Sequence, residues 1–594
     1  MFKQRLFRTL CAMVMAMTFV SVFGASAASR WVEDEWYLIR FMNGGNAFTA
    51  TTDGAQISTA KATASDAQLW KIVGNDEQGY ELTNKLGLKL YVPSAATNSM
   101  VSAASAPTGH TRFVLTETEN ASYSGGLEIH PIENAAVSMN LWGGPNENRG
   151  VGLWNAGDQN NPVRLTTETE FKSVGKISLV PYPQQLKVVK EGDFDFAQVK
   201  TIVALTAEAK TYAADFAKQW TLVSGVDMQI VDADCEGMAL RMMVDESQPA
   251  EGYALAVADD GVTIKASEAA GFFYAVQTLK QLLPRAFFAD KQQADVVWTL
   301  PYVAIEDAPI LGHRGFMMDV ARHFFTKEEV KRVLDIMSLY KMNRLHWHLT
   351  DDQGWRIEIP EYPLLTEVGA IRSGSFTSPG DGTKFFDDTE YGRGMYFTLD
   401  ELKDIVAYAK ARHIEILPEV DLPGHMVAAV AAYPAFSCDS TKQYSVRIDG
   451  GISHDVLNIG DDRVIDFLKC VLDHLADVFP YPYVHIGGDE CPTEQWSRNA
   501  DCLRRVEEEG LAGVHELQSW LVEELGNYVK DRHGKDLVVW DELLAHWSSA
   551  NTVKPVIMAW NHINKSAEAA DKGFKSIVVP YQSLYIDFMQ VPAN

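Results

Sequence analysis

The stretch Thr326–Thr350, TKEEVKRVLDIMSLYKMNRLHWHLT, contains the unit whose repetition decides the fold. Thr326 followed three residues later by Glu329 is a capping box, the reciprocal pairing that opens a helix. Val330, Val333, Leu334 and Met337 then recur at helical spacing and make one apolar stripe. At Asn343 the period changes, and NRLHWHLT reads as a short strand. The unit returns at Thr398, where Glu401 completes a second box and Leu402, Ile405, Val406 and Ala409 form the stripe ahead of IEILPEV. From Leu311 onward the runs RGFMMDV, NRLHWHLT, IEILPEV, YVHIGGD, LVVWDE, VIMAW and KSIVVPY alternate with helical patterns. Strand-helix units of this size argue for a parallel sheet, and seven in succession argue for a (β/α)8 TIM barrel over 311–594. An eighth strand has no counterpart before Asn594, so the reading expects a barrel without its last strand.

Three further segments precede the barrel. In residues 1–28, Lys3, Arg5 and Arg8 lead an apolar run, Leu10–Phe23, and the small residues Ala25–Ala28, the pattern of a secretory signal peptide. That run is shorter than the ~20 residues needed to cross a bilayer, and no later segment reaches that length. The expectation is an exported protein, periplasmic or extracellular, with no membrane span. Residues 31–168 are rich in Asn, Gly, Ser and Thr, with short runs such as WYLIRF, QLWKIV and YELTN, an all-β pattern. Two long phrases there, starting at Ala67 and Thr111, are loosely similar and suggest an internal repeat. Residues 176–307 read as a small α/β sandwich. In it YALAVADDGVTIKAS forms a hairpin about Asp260-Gly261, and a helix with Phe272, Val276, Leu279 and Leu283 on one face takes Ser267 as its cap.

The formal net charge of −27 argues against nucleic acid as a partner. Beyond the leader the cysteines are Cys235, Cys438, Cys470, Cys491 and Cys502, an odd number without metal-ligand spacing. At least one is therefore unpaired, and a pairing such as Cys491 with Cys502 stays open.

Polar residues collect at the C-terminal ends of the barrel strands, where such barrels keep their chemistry. In strand order these are Asp319, Arg322 and His323; Asp351 and Asp352; Asp421 and His425; Asp489 and Glu490; Trp540, Asp541 and Glu542; Trp560; and Tyr585 and Asp587. Acids, an arginine and aromatic rings suit a sugar, whose C–H faces lie against rings and whose hydroxyls take directed hydrogen bonds. Asp489 and Glu490 are adjacent, however, and consecutive residues point different ways. They cannot serve as an ordinary acid and nucleophile flanking one glycosidic bond.

At these motifs, HIGGDE, DVARHFF, HWHLTDDQGWR, PEVDLPGH, WDE and YIDF, the chain resembles family 20 glycoside hydrolases, the β-N-acetylhexosaminidases. The resemblance runs from Leu179 to Asn594. It implies an exo-acting, retaining hydrolase of terminal β-linked N-acetylglucosamine or N-acetylgalactosamine, with no organic cofactor and no metal. In that family the substrate's own acetamido carbonyl attacks the anomeric carbon and gives an oxazolinium intermediate. The resemblance further implies that Glu490 is the general acid and base and that Asp489 holds the acetamido N–H. Asp351 and His425 would relay toward Glu490, with Asp421 in support. Arg322 would bind ring hydroxyls, Trp540 and Trp560 wall the acetamido methyl, Tyr585 bond its oxygen and Asp587 a hydroxyl. The family's further tryptophan and acid on the last strand fall beyond this sequence. The QLW phrase makes residues 31–168 resemble a ricin-type β-trefoil, which implies a possible second sugar contact, although Trp70 also reads as a core residue.

Two other classes compete. His346 and His348, two apart on one strand, face the same side and could ligate a metal in a metal-dependent barrel hydrolase. That chemistry needs more histidines at the fifth and sixth strand ends, where Trp540 and Trp560 stand instead. The third class is a non-catalytic secreted carbohydrate-binding protein, against which the intact Asp-Glu pair speaks. Cys491, beside the acids, reads as structural.

Overall fold

The computed structural model describes residues 35–586 except 121–122, 124, 147, 169–170, 172–176, 378–384 and 548–550. The leader read at 1–28 and the site residue Asp587 lie outside the described residues. The chain divides into two compact units, one holding the residues up to Phe196 and the other most of the residues after it.

Among the described residues of the first unit, the twelve strands between Tyr37 and Thr167 fall into three successive groups of four. They are β1–β4 (Tyr37–Phe41, Ala47–Thr49, Ser58–Ala60, Leu69–Asn75), β5–β8 (Gly79–Asn84, Lys89–Tyr91, Ser102–Ala104, Phe113–Glu117) and β9–β12 (Leu127–Pro131, Val137–Leu141, Val151–Asn155, Val163–Thr167). The outer strands of each group join antiparallel into one closed ring, β1-β4-β5-β8-β9-β12. The inner strands of each group pair with each other as a hairpin. A closed ring leaves no unpaired edge in the barrel itself. The two similar sequence phrases fall on corresponding strands of the second half of one group and the first half of the next. Trp70 is a core residue here, fully buried with its Nε1–H donated to the Phe48 carbonyl at 3.3 Å. Gln68 is a structural pin, taking the Thr63 N–H and giving to the Lys61 carbonyl.

In the second unit, strands Thr201–Ala204, Gln229–Val231, Ala239–Val244 and Gly261–Ala266 run parallel, with helices Ala207–Ser224 and Ala269–Leu282 alongside. Tyr253–Ala258 and Gly261–Ala266 are neighbours about Asp260-Gly261, as the alternation predicts. The second helix buries Phe272, Val276 and Leu279 as expected. Its N-cap is Glu268, without a side-chain bond, because the Ser267 hydroxyl is spent on the Pro249 carbonyl.

The barrel strands Gly315–Asp319, Arg344–His348, Glu415–Glu419, Tyr483–His485, Asp536–Trp540, Val556–Ala559 and Ser576–Val578 pair in sequence order, all parallel. Both predicted capping boxes form, at Thr326 with Glu329 and at Thr398 with Glu401. They start helices Lys327–Leu339 and Leu399–Lys410, which bury Val330, Leu334, Met337, Leu402, Ile405 and Ala409 against the sheet. Trp347, Trp355 and Trp496 fill the same core with no exposed surface. This packing fixes the strand ends and, through them, the polar side chains they carry. Among the described residues no helix is long and apolar enough to cross a membrane.

Candidate active site

The loop after the fourth barrel strand, HIGGDE, is shaped by its two glycines. Gly487 has φ 66° and Gly488 φ 96°, and a Cβ on Gly487 would sit 1.7 Å from Asp421 Oδ1. No other residue fits between that carboxylate and the turning backbone. Glu490 itself is left-handed at φ 45°, a conformation uncommon for a residue with a side chain. His425, across the pocket, is left-handed too, at φ 50°. Such outliers persist only where the surroundings hold them.

His425 stands between two pairs of acids. Its Nδ1 lies 3.2 Å from Asp351 Oδ1 and 3.5 Å from Asp352 Oδ2, and its Nε2 lies 3.4 Å from Glu490 Oε2 and 3.8 Å from Asp489 Oδ2. Neither ring nitrogen closes a well-aligned hydrogen bond with them. Burial opposes a charge on this ring, but Asp351 above all outweighs it and holds the imidazole pKa well above its ordinary value. The order Asp351, His425, Glu490 is thus a continuous line of titratable groups.

Asp489 and Asp421 are the desolvated acids. Burial first, and for Asp421 the facing Asp489, raises both carboxyl pKa values. Asp421 Oδ1 accepts the Gly488 N–H at 3.3 Å, while its Oδ2 and Asp489 Oδ1 are buried without a hydrogen-bond partner. A buried acceptor of this kind is costly to leave unpaired and is satisfied by an incoming N–H or O–H.

Arg322 is fixed from below and open above. Its Nη2 reaches Asp351 Oδ2 at 2.6 Å and its Nη1 reaches Asp319 Oδ2 at 3.0 Å, with 42% of the side chain still exposed. Nη1 also approaches His348 Nε2 to 3.1 Å. His348 gives Nδ1–H to Glu419 Oε2 at 2.6 Å and Nε2–H to Asp351 Oδ2 at 2.9 Å, so the charged imidazolium fits. Burial works against that charge, and Glu419 and Asp319 override it. The approach of Arg322 is then a like-charge contact held by the acids around both.

Sequence reasoning passed over Glu419. It is wholly buried, and three histidines and an indole converge on it. His348 and the Trp540 Nε1–H, at 2.9 Å, hydrogen-bond to its two oxygens. His346 Nε2 sits 2.8 Å away off the bonding direction, and His485 Nδ1 lies 3.1 Å away. Burial raises the Glu419 pKa, but His485, His348 and His346 together hold it well below the ordinary glutamate value. Burial pushes the His485 pKa down to about 4, and its Nδ1 accepts the Gly487 N–H. The clue was the two-residue spacing from Glu419 to Asp421, which puts both on one face of the strand end. His346 and His348 do face one side, as read. His346 with Glu419 and His485, and separately His348 with Glu419 and Asp421, offer donor atoms within 4.8 Å of one another, enough to hold a metal ion, but both Glu419 oxygens are already occupied by donors.

The far wall is aromatic. Trp540 is 4% exposed and spends its N–H on Glu419. Trp560 stacks on Tyr585 with centroids 6.3 Å apart at 20°. The Trp560 Nε1–H donates to both oxygens of Glu542, at 3.0 and 3.1 Å, while Asp541 Oδ2 accepts the backbone N–H of Trp560 at 2.8 Å. Burial, with Asp489 adding to it, pushes the Glu542 pKa up to about 7. The adjacent acids of WDE therefore divide one task, Asp541 fixing the next strand end and Glu542 its indole. Cys491, whose thiol pKa burial pushes up, packs against Gly424.

Of the residues singled out from the sequence, Asp351, His425, Asp489, Glu490 and Arg322 come together around His425 and Asp351. Trp540 joins them through Glu419, whereas Trp560 and Tyr585 form the adjoining wall. The described residues of this site all belong to the second unit.

Residues 311–594 match the model of glycosyl hydrolase family 20, catalytic domain, and residues 176–308 that of glycosyl hydrolase family 20, domain 2. The chain is 38% identical over 418 residues to a β-hexosaminidase of Porphyromonas gingivalis, covering 70% of this chain and 51% of that protein. It is 32% identical to a β-hexosaminidase of Vibrio furnissii, covering 72% of this chain and 67% of the relative. The crystal structure of a Bacteroides fragilis β-N-acetylhexosaminidase superposes with a TM-score of 0.58 at 28% identity, over 70% of this chain and 77% of that one. A mutant Streptomyces plicatus β-hexosaminidase in complex with its product GlcNAc superposes with a TM-score of 0.55 at 31% identity, over 68% and 74%. The chain spans about half the length of the Porphyromonas protein.

Proposed function

The chain belongs to glycosyl hydrolase family 20, and on that premise we propose that it is an exo-acting, retaining β-N-acetylhexosaminidase working by substrate assistance. The observation that carries the mechanism is the partnerless, buried Asp489 Oδ1 beside Glu490. An acetamido N–H is the donor it lacks. Holding that N–H aims the acetamido oxygen at the anomeric carbon, and the Asp489 carboxylate then stabilises the positive charge of the oxazolinium ring. Glu490 protonates the departing glycosidic oxygen and afterwards deprotonates the water that opens the ring. The Asp351–His425 line holds charge behind Glu490 as its proton leaves and returns. Arg322, clamped by Asp319 and Asp351, offers its open edge to ring hydroxyls. Trp540 and Trp560 wall the acetamido methyl, and Tyr585 bonds its oxygen.

Kinetics on paired leaving groups test this assignment. Glu490→Gln is expected to lower kcat by about 10²–10⁴ on substrates with poor leaving groups and far less on nitrophenyl glycosides, because only the former need the acid. Asp489→Asn is expected to lower kcat on both by about 10²–10³. Unchanged turnover in both variants would refute the pair.

We propose further that the first unit is a β-trefoil that makes a second sugar contact, and that the chain is exported by cleavage of residues 1–28. The closed six-strand ring with three hairpins supports the trefoil. The third hairpin supports the contact, since Trp154 is 38% exposed and stands edge-on to Trp142 at 5.7 Å. Trp154→Ala should weaken retention of the protein on immobilised N-acetylhexosamine glycans while leaving hydrolysis of a soluble nitrophenyl glycoside unchanged. Equal retention would refute the contact. N-terminal sequencing of the mature protein tests the cleavage.

A further inference from the structure

Two cysteines bracket the loop that carries the acid pair, one on the segment packed beside it and one on the helix that ends it. Cys438 Sγ points at the Leu457 carbonyl, 3.7 Å away, and Cys502 Sγ donates to Asn458 Oδ1 at 3.3 Å. The two sulfurs thus reach consecutive residues of a single segment. Asn499 spans their backbones, its Nδ2 donating to the Cys438 carbonyl at 3.1 Å and its Oδ1 accepting the Cys502 N–H at 3.0 Å. Neither backbone is free to swing away. Asn458 Nδ2 is bonded to Asp501 Oδ2 at 3.0 Å, and Gly460 lies so close to the helix that a Cβ would come within 2.2 Å of the Asp501 carbonyl carbon. Both thiols are reduced in the structure.

We propose that Cys438 and Cys502 are a built disulfide site, closed in the exported protein to clasp the helix Ala500–Glu508 to the segment that follows the third barrel strand. Its occurrence in the cell rests on the export reading, while its capacity to form rests on the geometry alone. The chemistry is thiol–disulfide exchange. Cys438, the less buried member, loses its proton and attacks an external disulfide, which is a disulfide-bearing oxidoreductase of the cell envelope or glutathione disulfide in the test tube. One thiol leaves. The buried Cys502 thiolate then attacks the Cys438 sulfur of the mixed disulfide and expels the second thiol. The two protons end on the two released thiols, and the two electrons reduce the external disulfide.

The bond would close a loop of about 60 residues that contains Asp489 and Glu490, and a loop of that length loses much unfolded-state freedom when cross-linked. The loop is already held by the Trp496 Nε1–H to the Leu457 carbonyl at 2.9 Å and the Gln495 Nε2–H to Asp455 Oδ1 at 2.9 Å. The clasp therefore adds resistance to heat and leaves the site geometry as it is.

The test oxidises the reduced full-length protein with glutathione disulfide, unfolds it, alkylates the remaining thiols and maps the peptides. The expected result is two fewer alkylated cysteines, one cross-linked peptide joining Cys438 to Cys502, and an unfolding midpoint raised by roughly 3–5 °C. Cys438→Ser and Cys502→Ser should each lose all of this. Full alkylation of both, or a cross-link through Cys491, overturns the proposal. A link that forms in the test tube but is absent from exported protein, recovered with residues 1–28 removed, overturns the closed state proposed for the cell.

Discussion

Glu419 shows how a single buried charge organises the site. With no exposed surface, it is paired with a charged His348 and faced by His346 and His485. Replacing it with glutamine leaves His348 charged and half-compensated in a dry setting, which costs about 3–5 kcal/mol. Urea unfolding of Glu419→Gln should show that loss, and a change below about 1 kcal/mol would refute the network. The pH dependence has a definite sign. Because the native carboxyl lies below the ordinary value of 4.5, its stabilisation is present above that value and is lost as pH falls through the lowered native value. The variant should therefore lose stability less steeply on the acid side. Nothing in the order of residues disclosed this arrangement directly, since His346, His348, Glu419, His485 and Trp540 come from four strands and meet only through register.

The strand ends and helix starts were the most legible elements. Thr326 with Glu329 and Thr398 with Glu401 are local signals, satisfied within one turn, and both form as read. Ser267 misled because a competing acceptor, the Pro249 carbonyl, comes from elsewhere in the chain. The element that most repays a test is the short turn Trp540–Glu542 with the following strand end. Glu542 holds the Trp560 indole and has a pKa of about 7, so near neutrality the acceptor changes from a carboxylate to a weaker neutral acid. Tryptophan fluorescence should show a transition near pH 7 that Glu542→Gln lacks, with the KM for acetamido substrates rising on the acid side in the wild type. A pH profile identical in the two proteins would contradict this. For stability the sign is opposite to that of Glu419. Between 4.5 and about 7 the folded carboxyl keeps a proton that the unfolded chain has released, so its contribution falls as pH rises through that window.

For the whole molecule, the barrel class was legible because each strand-helix unit repeats a change of period from 3.6 to 2, and seven strands pair in the predicted order. The first unit was legible as all-β with an internal repeat, and its resemblance to a β-trefoil rested on the single QLW phrase. Its threefold grouping depends on long-range pairings such as Tyr37 with Thr167, which no local pattern encodes. The acid pair was visible in the sequence and the family resemblance implied a division of roles; what only the pocket adds is that Asp489 keeps one oxygen buried and unpaired while Glu490 Oε2 lies 3.4 Å from His425 Nε2. The most direct measurement compares hydrolysis of a nitrophenyl β-N-acetylglucosaminide with that of the matched β-glucoside by the full-length protein. Substrate assistance predicts cleavage of the acetamido sugar and essentially none of the glucoside, a ratio that Asp489→Asn should reduce. Comparable cleavage of both sugars would mean that the protein supplies its own nucleophile, and would contradict the role given to Asp489.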